Sequence, residues 1–399
     1  MKKTIRTTKS NRIRTIDVLR ALTMFFMIFV NDLFTLTGVP KWLEHTATHE
    51  DGMGFSDVIF PLFLFIVGLS IPLAINIRIK KGESPLQILG HILVRTIALL
   101  VMGFYMVNYE SINEEALGFS KRVWLILMAS AIFLIWMDYR RLPRLHRMVV
   151  WALKSLGLLL LGYLAWAYRG GIAENIVGMK PYWWGILGLI GWAYLLNGLL
   201  YLLFQKRVAF LVIAFVLLLF MNIQENGFFE ILPGFKLVVS ASNHVLVMAG
   251  VLCTIFFLRF REPGQVLNRF LALVLLTGLV LVVFGFLIRP YFPISKNLAT
   301  PSWTVLCIGI GLWTFVILYG IVDRLGYVGW ASPIRSAGTS TLTCYLMPYF
   351  IYPALALLGL QLPDFLLHGS VGLLKSLLFS LAIVLFVGML ERRNIRLRV

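Results

Sequence analysis

The sequence predicts an all-α protein, a polytopic transmembrane helical bundle. Hydrophobic residues make up 59% of its 399 residues and charged residues only 14%, with a mean hydropathy of +0.86; ordinary soluble domains do not show this composition. Apolar runs of about 20 residues, the length that a helix needs to span a bilayer, recur from residue 16 to residue 390. Backbone groups in lipid must be paired within a helix or a closed barrel. Long uninterrupted runs favour helices over ten-residue alternating strands.

The apolar runs mark about twelve spans, with ten or eleven as the alternative because residues 183–223 divide least clearly. The predicted spans are 16–36, 57–78, 86–107, 122–138, 148–168, 183–204, 208–223, 238–258, 270–288, 303–322, 341–360 and 371–390. The predicted organisation is a basic N-terminus (1–15), one membrane domain (16–390) and a basic tail (391–399). The connections between spans are too short to hold a soluble domain.

The net charge of +18 follows the positive-inside rule and does not indicate a nucleic-acid partner. With the N-terminus in the cytoplasm, 24 lysines and arginines fall on the inner side and eight on the outer side, the asymmetry that orients membrane proteins. Acidic loop residues show the opposite trend. We therefore predict that both termini are cytoplasmic. In the absence of a recognisable targeting segment, the membrane is by default a bacterial inner membrane.

The positions of the cysteines and the lack of the common cofactor motifs argue against metal or nucleotide chemistry. All three cysteines fall within apolar segments, where they are typical small core residues and not disulfide partners or metal ligands. The chain has no GxxxxGK[ST], GxGxxG, CxxC or HExxH motif. The usual signatures of ATP-driven transport, nicotinamide redox chemistry and zinc proteolysis are therefore missing, and no metal is predicted.

The first two spans and the loop between them form the most informative region. Asn31 lies at the end of the first span, Asp57 at the start of the second, and the loop holds His45 and His49. If both segments cross the bilayer, these residues lie at one membrane face. A neutral imidazole beside a carboxylate and an amide suits proton transfer near neutral pH. The structural alternative is a pair of ordinary loop histidines, with Asp57 as a helix N-cap.

Two arginines within spans indicate an anion site towards the opposite face. Arg20 lies three residues from Asp17 on one helix face, and a local ion pair is the alternative interpretation. Arg95 falls about 13 Å into the third span at 1.5 Å per residue, where an arginine is costly and faces a partner or a wet cavity. Because guanidinium groups bind phosphate and carboxylate in a bidentate manner, we predict a buried functional role for Arg95, with a structural ion pair as the alternative.

Two further polar clusters lie at the starts of later spans. Asn243 and His244 enter the eighth span from the outer side, at the level of His45. They suit acceptor binding, although a histidine satisfied inside the helix fits equally well. Arg335 and Thr339 lie at the inner start of the eleventh span, where amides and hydroxyls suit a phosphate. Serine and threonine are, however, common at any helix start.

The pattern of the first two spans resembles the transmembrane heparan-α-glucosaminide N-acetyltransferase family and its bacterial multi-pass relatives. The similar segments are IDVLRALTMFFMIFVN (16–31), WLEH (42–45) and FSDVIFPLFLFIVGLSIPLA (55–74). A second similar patch is FPISKNLATPSWTVLCIGIGLW (292–313), with weaker likeness at 244–250 and 338–345. The chain departs from the family in lacking a tryptophan shortly after His45. An expected Gly-x-Asn pattern near the eleventh span appears as AGTST.

The resemblance implies a membrane acyltransferase that carries an acetyl group from cytoplasmic acetyl-CoA to an outer-facing sugar amine or hydroxyl. It implies that His45, Asn31 and Asp57 correspond to the family's catalytic residues, with His45 as general base or transient acyl carrier. The residues expected to hold the CoA donor are Arg95, Arg20, Arg335 and Thr339. The residues expected to contact the glycan or amino-sugar acceptor are His244, Asn243, His49 and Trp42.

Two other functions fit parts of the sequence. A transporter or flippase of an anionic or sugar-linked substrate accounts for the many spans and for Arg95. It gives the arrangement of His45, Asp57 and Asn31 no role. A non-catalytic scaffold for envelope polysaccharide enzymes is a third interpretation, under which alanine at His45 leaves function intact. The sequence leaves the oligomeric state open, and a homodimer is one arrangement.

Overall fold

The structure is a computed structural model that describes residues 13–142, 145–172, 174–227, 237–261 and 266–399. Most of the predicted basic N-terminus therefore lies outside the described residues. The first seven helices are α1 (Arg14–Asp32), α2 (Ser56–Lys80), α3 (Pro85–Glu110), α4 (Lys121–Trp136), α5 (Arg147–Ala167), α6 (Ile186–Phe204) and α7 (Val208–Glu225). The others are α8 (Ala241–Phe260), α9 (Leu267–Leu287), α10 (Pro301–Tyr319), α11 (Arg335–Thr339), α12 (Thr341–Leu346), α13 (Pro348–Leu357) and α14 (Gly369–Arg392).

Ten helices in the described part of the chain are long and apolar enough to cross a membrane. They are α1, α2, α3, α5, α6, α7, α8, α9, α10 (with the π-helical turn that follows it) and α14. The prediction of an all-α, polytopic integral membrane protein is confirmed. Each of these helices overlaps one of the predicted spans.

The remaining two predicted spans are shorter or broken. Helix α4 has 16 residues. The eleventh span begins at residue 335, earlier than predicted, and divides into α11, α12 and α13. Ser340 leaves the helical conformation, with φ −129° and ψ 42°, and Pro348 starts α13, since proline cannot donate a backbone hydrogen bond. The segment still runs the length of α1: the carbonyl of Gly338 contacts Arg20, and the Tyr352 hydroxyl bonds Asp32.

The two ends of the bundle are named here after residues of its first helix and loop. The Arg20 face is the end at which α1 begins, and the His45 face is the end that carries the α1–α2 loop. The described chain ends at the Arg20 face, where the N–H of Arg398 donates to the carbonyl of Trp136. Ile13 and Val399 line one cavity there. The ends of the described chain thus lie together, while the compartment that they face stays a prediction.

Helices α2 and α8 form the centre of the bundle. In their most apolar 18-residue windows 67% and 78% of residues are buried, against 17% in α5 and in α7. Two glycines let the central helices approach closely. A Cβ on Gly68 would lie 1.9 Å from the carbonyl oxygen of Val247, and one on Gly250 would lie 2.1 Å from that of Phe65. The contact therefore has no room for a side chain at either position.

A small antiparallel sheet was not predicted. Strands β1 (Gly170–Ile172) and β2 (Asn175–Val177) pair at the His45 face between α5 and α6. Three-residue strands carry no alternating pattern long enough to be recognised. The chain that follows them leads to residues 181–184, which contribute to the site.

Candidate active site

His45 and Asp57 form a direct pair at the His45 face. The His45 Nδ1 atom lies 2.7 Å from Asp57 Oδ1. The aspartate side chain is 2% exposed, whereas the histidine side chain is 46% exposed. The second oxygen of Asp57 accepts the backbone N–H groups of Thr46 and Gly54, each at 3.0 Å. The carboxylate is therefore held on both sides, and the imidazole is accessible to a ligand.

The loop closes on itself to bring the pair together. The N–H of Phe55 donates to the carbonyl of Trp42 at 2.7 Å, and the Ser56 hydroxyl donates to the carbonyl of Leu43 at 2.5 Å. A Cβ at Gly54 would lie 1.9 Å from the carbonyl oxygen of Glu44. Glycine is thus needed at position 54, where the returning chain crosses the turn that leads to His45.

The structure does not place Asp57 at the N-cap of α2. The N-cap of α2 is Phe55, without a side-chain capping bond, and Asp57 lies inside the first turn with its oxygens directed to the loop. The carboxylate at 2.7 Å favours the tautomer of a neutral His45 in which Nδ1 carries the proton and donates to Asp57. This assignment leaves Nε2 as the basic nitrogen, so the arrangement fits a general base with its orienting carboxylate.

Lys296 joins this pair and was missed as a site residue. Its ammonium nitrogen lies 3.1 Å from His45 Nδ1 and 3.8 Å from Asp57 Oδ1, although 251 residues separate it from the histidine in sequence. Burial lowers the pKa of Lys296, and the charge of Asp57 offsets only part of this effect. The similarity of the segment 292–313 was the one sequence signal that pointed to this connection, and it did not distinguish the lysine.

The α9–α10 connection is bound to the histidine loop by a second ion pair. Asp51 accepts Arg289 Nε at 2.8 Å and the N–H of Ile294 at 2.7 Å. Burial raises the pKa of Asp51, but the bonds from Arg289 and Ile294 outweigh it and lower this pKa below its usual value. Lys296 is therefore carried on a segment that is fixed to the loop of His45.

A cavity of about 710 Å³ opens beside His45. Asn31 and His45 both line it, while Asp57 lies behind His45. Its polar and charged lining residues are Asn31, His45, Ser56, Ser240, Asn243, Lys296 and Asn297. Its aromatic wall is formed by Phe60, Tyr182, Trp183, Trp184 and Trp303. We call this the His45 cavity.

The four residues predicted to contact the acceptor lie in different surroundings. Asn243 lines the His45 cavity. His244 is buried, and within the described residues neither of its ring nitrogens has a hydrogen-bond partner. His49 is exposed and Trp42 is 66% exposed, and neither contributes to the wall of the cavity. The structure thus brings one of the four to the site.

The residue after Asn31 is fixed by a buried network that sequence reasoning also missed. Asp32 is 1% exposed. It accepts Lys375 Nζ at 2.7 Å and the hydroxyl of Tyr352. Lys375 also donates to the Thr35 hydroxyl at 2.8 Å. These bonds tie the end of α1 to α13 and α14, and so determine where Asn31 enters the cavity.

A larger cavity, about 1400 Å³, opens at the Arg20 face. We call it the Arg20 cavity. Among the described residues, its lining contains one side-chain carboxylate, that of Asp17, and five cationic side chains, which belong to Arg20, Lys80, Arg95, Arg261 and Arg398. The excess of positive charge suits a ligand with several negative charges.

Three of the four predicted donor residues line the Arg20 cavity. Arg20 donates to the Ser70 hydroxyl at 2.9 Å and lies 3.7 Å from Asp17, so the local ion pair is present as well. Thr339 donates to Glu391 at 2.8 Å. Arg335, in contrast, is exposed at the start of α11 and lies outside the lining.

The expectation that Arg95 is buried was wrong. The residue is exposed and lies on the cavity wall, with its guanidinium 4.9 Å from the ring centre of Tyr194. On a cavity wall the guanidinium avoids lipid and needs no buried carboxylate as its partner, which explains why Arg95 is exposed where burial was expected. Its position still suits contact with an anion.

Met27 and Ile186 line both cavities. The two openings therefore approach each other in the middle of the bundle. His45 and Asp57 lie on one side of this junction, and most of the cations lie on the other.

Comparison with known proteins supports the predicted resemblance. Residues 12–113 match a family model described as heparan-alpha-glucosaminide N-acetyltransferase, catalytic. A mouse protein named heparan-alpha-glucosaminide N-acetyltransferase is 34% identical over 103 residues, which are 26% of this chain and 15% of the mouse protein. The human protein of the same name is 32% identical over 97 residues, 24% of this chain and 14% of the human protein.

The matched part of the chain extends from α1 to the residues just after α3 and contains Asn31, His45 and Asp57. It excludes Lys296 and, apart from Phe60, the aromatic wall. The chain spans about 15% of the length of the curated relatives that it matches. Over this quarter of its own length, the chain is similar to the catalytic region of the heparan-alpha-glucosaminide N-acetyltransferases.

Proposed function

We propose that the chain is a membrane acetyltransferase that takes an acetyl group from acetyl-CoA in the Arg20 cavity and transfers it to a sugar amine or hydroxyl in the His45 cavity. The observation that carries the proposal is the pair of cavities that meet at Met27 and Ile186. One contains a base paired with a carboxylate, and the other contains five cations. The names of the similar proteins supply the reaction class.

The Arg20 cavity would hold the phosphate groups of CoA. Arg20, Arg95 and Lys80 come from three different helices, so their charges surround a ligand rather than forming one local patch. The neutral thioester arm then extends along the apolar middle of the bundle. On the charge asymmetry of the loops, the Arg20 face is the cytoplasmic one.

His45 would act as the general base. Its Nε2 takes the proton of the acceptor amine or hydroxyl while the acceptor atom attacks the thioester carbonyl carbon. Asp57 stabilises the resulting imidazolium, and Asn31 and Lys296 offer donors to the developing oxyanion. When the carbon–sulfur bond breaks, the sulfur of CoA leaves with the proton held on Nε2. A transient acyl-histidine is the alternative route, in which Nε2 attacks first.

The aromatic and amide lining supports a sugar as acceptor. Tyr182, Trp183 and Trp184 form one wall of the His45 cavity, and Asn31, Asn243 and Asn297 contribute amide groups elsewhere in its lining. Aromatic rings present apolar faces while the amides supply donors and acceptors for hydroxyl groups. Within the lining, no carboxylate is found among the described residues. An amine acceptor therefore enters in its neutral form, or the reacting group is a hydroxyl.

Cavities at both faces also suit a transporter. An assay of acetyl transfer distinguishes the two functions. In the purified full chain, transfer of acetyl from acetyl-CoA to methyl α-glucosaminide would be measured for wild type, His45→Ala and His368→Ala. His368 is an exposed histidine at the same face. We expect His45→Ala to lose about a hundredfold or more in rate and His368→Ala to stay active. Equal transfer by wild type and His45→Ala would exclude the mechanism.

A further inference from the structure

One face of α1 lines both cavities. Its lining residues are spaced by one, three or four positions, the spacing of a single helix face. From the Arg20 cavity to the His45 cavity they are Ile16, Asp17, Arg20, Met24, Met27, Val30 and Asn31. The two cavities are therefore two halves of one path along α1. From Arg20 to Asn31 this path covers eleven residues, about 16 Å at the helical rise.

Helix α2 provides a second continuous wall. From Ser56 to Ser70 its lining residues again follow one helix face, and they are Ser56, Ile59, Phe60, Phe63, Ile66, Val67 and Ser70. Further residues between Ile71 and Lys80 line the Arg20 cavity. Phe60 borders the His45 cavity and Phe63 the Arg20 cavity. The change from one cavity to the other thus falls at the same level on α2 as it does on α1.

The two cavities share their walls at one level of the bundle. Within the described residues, Met27 of α1 and Ile186, the first residue of α6, are the two that line both cavities. Met27 is 2% exposed. Both side chains are apolar, so the junction offers no partner to phosphate or to a charged group. It can accommodate only a neutral, slender part of a ligand.

We propose that Met27 and Ile186 form the constriction that selects the acyl group by size, a statement that rests on the function proposed above. The thioester must reach the level of Asn31 to be attacked, and its acyl group passes this junction first. With the thioester at that level, the pantetheine arm fills the junction, and the acyl group has only the space that remains beside Met27 and Ile186. An acetyl group adds a single methyl to this space, whereas longer acyl groups displace the methionine or the isoleucine. Because the methionine side chain is flexible, the length of Met27, more than its conformation, sets the width of the junction.

The test compares two methionines one turn apart. Met27→Ala shortens a side chain at the junction, and Met24→Ala shortens one that lines the Arg20 cavity alone. The purified full chain would be assayed with acetyl-, propionyl-, butyryl- and hexanoyl-CoA, with methyl α-glucosaminide as acceptor and released CoA thiol as readout. We expect Met27→Ala to lower the preference for acetyl over butyryl, as a ratio of kcat/KM values, by about tenfold. Met24→Ala is expected to change the rates with both donors by the same factor.

A narrowing variant provides the opposite test. Met27→Trp should stop transfer from every donor while CoA still raises the thermal unfolding temperature, because binding in the Arg20 cavity precedes passage. The same CoA-dependent shift shows that each variant is folded. If wild type transfers acetyl but Met27→Ala and Met24→Ala share its chain-length profile, the constriction is refuted and the acetyltransferase stands. If wild type transfers no acyl group from any donor, both proposals fail.

Discussion

The His45 cavity and the Arg20 cavity are built on different physical terms. At the first, a buried carboxylate is held by three hydrogen bonds of 2.7–3.0 Å that come from one short loop. At the second, the cations come from distant parts of the chain and one stacks on an aromatic ring. Proton transfer needs a base fixed to within fractions of an ångström. A flexible polyanion needs only enough positive charge around it.

This difference makes the two cavities respond differently to mutation. Changes near His45 should alter the rate of transfer and leave donor binding intact. Changes in the Arg20 cavity should alter donor binding and leave the chemical step intact. The predictions below use this contrast, beginning with the largest effect.

Asp57→Asn should have the largest effect of these predictions. An amide can accept either the proton of His45 or the N–H groups of Thr46 and Gly54, but its NH2 group then faces the other partner. The histidine loses its fixed orientation and the stabilisation of its cation, so we expect kcat to fall about a thousandfold. Steady-state kinetics would measure the fall, and calorimetry should find the affinity for CoA unchanged. Loss of CoA binding together with kcat would contradict the separation of the two cavities.

Gly54→Ala tests the loop that carries His45. The added methyl meets the carbonyl of Glu44 at 1.9 Å and must displace the loop, whereas a Cβ at Gly52 has its nearest atom, the Thr46 methyl, at 3.9 Å. A shift of about 1 Å costs on the order of a hundredfold in rate. We expect Gly54→Ala to lose activity to this extent and the matched Gly52→Ala to lose little. Similar rates for the two variants would show that the crossing does not position His45.

Arg95→Ala tests the donor cavity against the nearby exposed Arg335→Ala. Removing one charge-assisted contact should raise KM for acetyl-CoA about tenfold and leave kcat unchanged. Arg335 lies outside the cavity lining, so its alanine variant should bind the donor normally. The comparison would be made at low and at high salt, because the effect should shrink when salt screens the charges. A fall in kcat with an unchanged KM would contradict the assignment of Arg95.

The lowered pKa of Lys296 leads us to expect a smaller effect, on the pH dependence of activity. Because burial lowers its pKa, the ammonium is lost at a lower pH than that of an exposed lysine. Activity should therefore decline as the pH rises through this lowered pKa, and Lys296→Arg should move the decline to higher pH. Stability should change in the opposite direction. Between the lowered pKa and the ordinary value of 10.5, the unfolded chain binds more protons than the folded chain. The free energy of unfolding therefore rises with pH in this range. An identical pH–rate profile for Lys296→Arg would exclude a role for the ammonium.

The sequence could predict the parts of the site that are local in the chain. Asn31 ends one clear span, Asp57 starts the next and His45 lies in the loop between them, so the direction of the spans places all three at one face. Lys296 reaches His45 from 251 residues away, and the wall at residues 181–184 follows a strand pair too short for any pattern. Contacts of that kind depend on how the helices pack, which hydropathy does not encode.

The same limit applies to the helices. The apolar runs locate the ten long helices, because bilayer thickness fixes their length. They also mark two further spans, twelve in all, and these are shorter or divided in the structure. The division of the eleventh span does not follow from the apolar runs, since the break at Ser340 involves a residue that is common inside helices as well. Arg95 shows a related limit: its depth along the helix can be counted from the sequence and led to the expectation of a partner or a wet cavity, but the sequence does not show that the side chain is exposed on the cavity wall.

The central claim is that donor and acceptor occupy opposite faces of one protein, joined by a path through it. The most direct test encloses methyl α-glucosaminide inside sealed proteoliposomes and supplies radiolabelled acetyl-CoA only outside. We predict labelled N-acetylglucosaminide inside the vesicles with wild type and none with His45→Ala, while CoA stays outside. Label that forms only when both substrates share one side of the membrane would contradict the account.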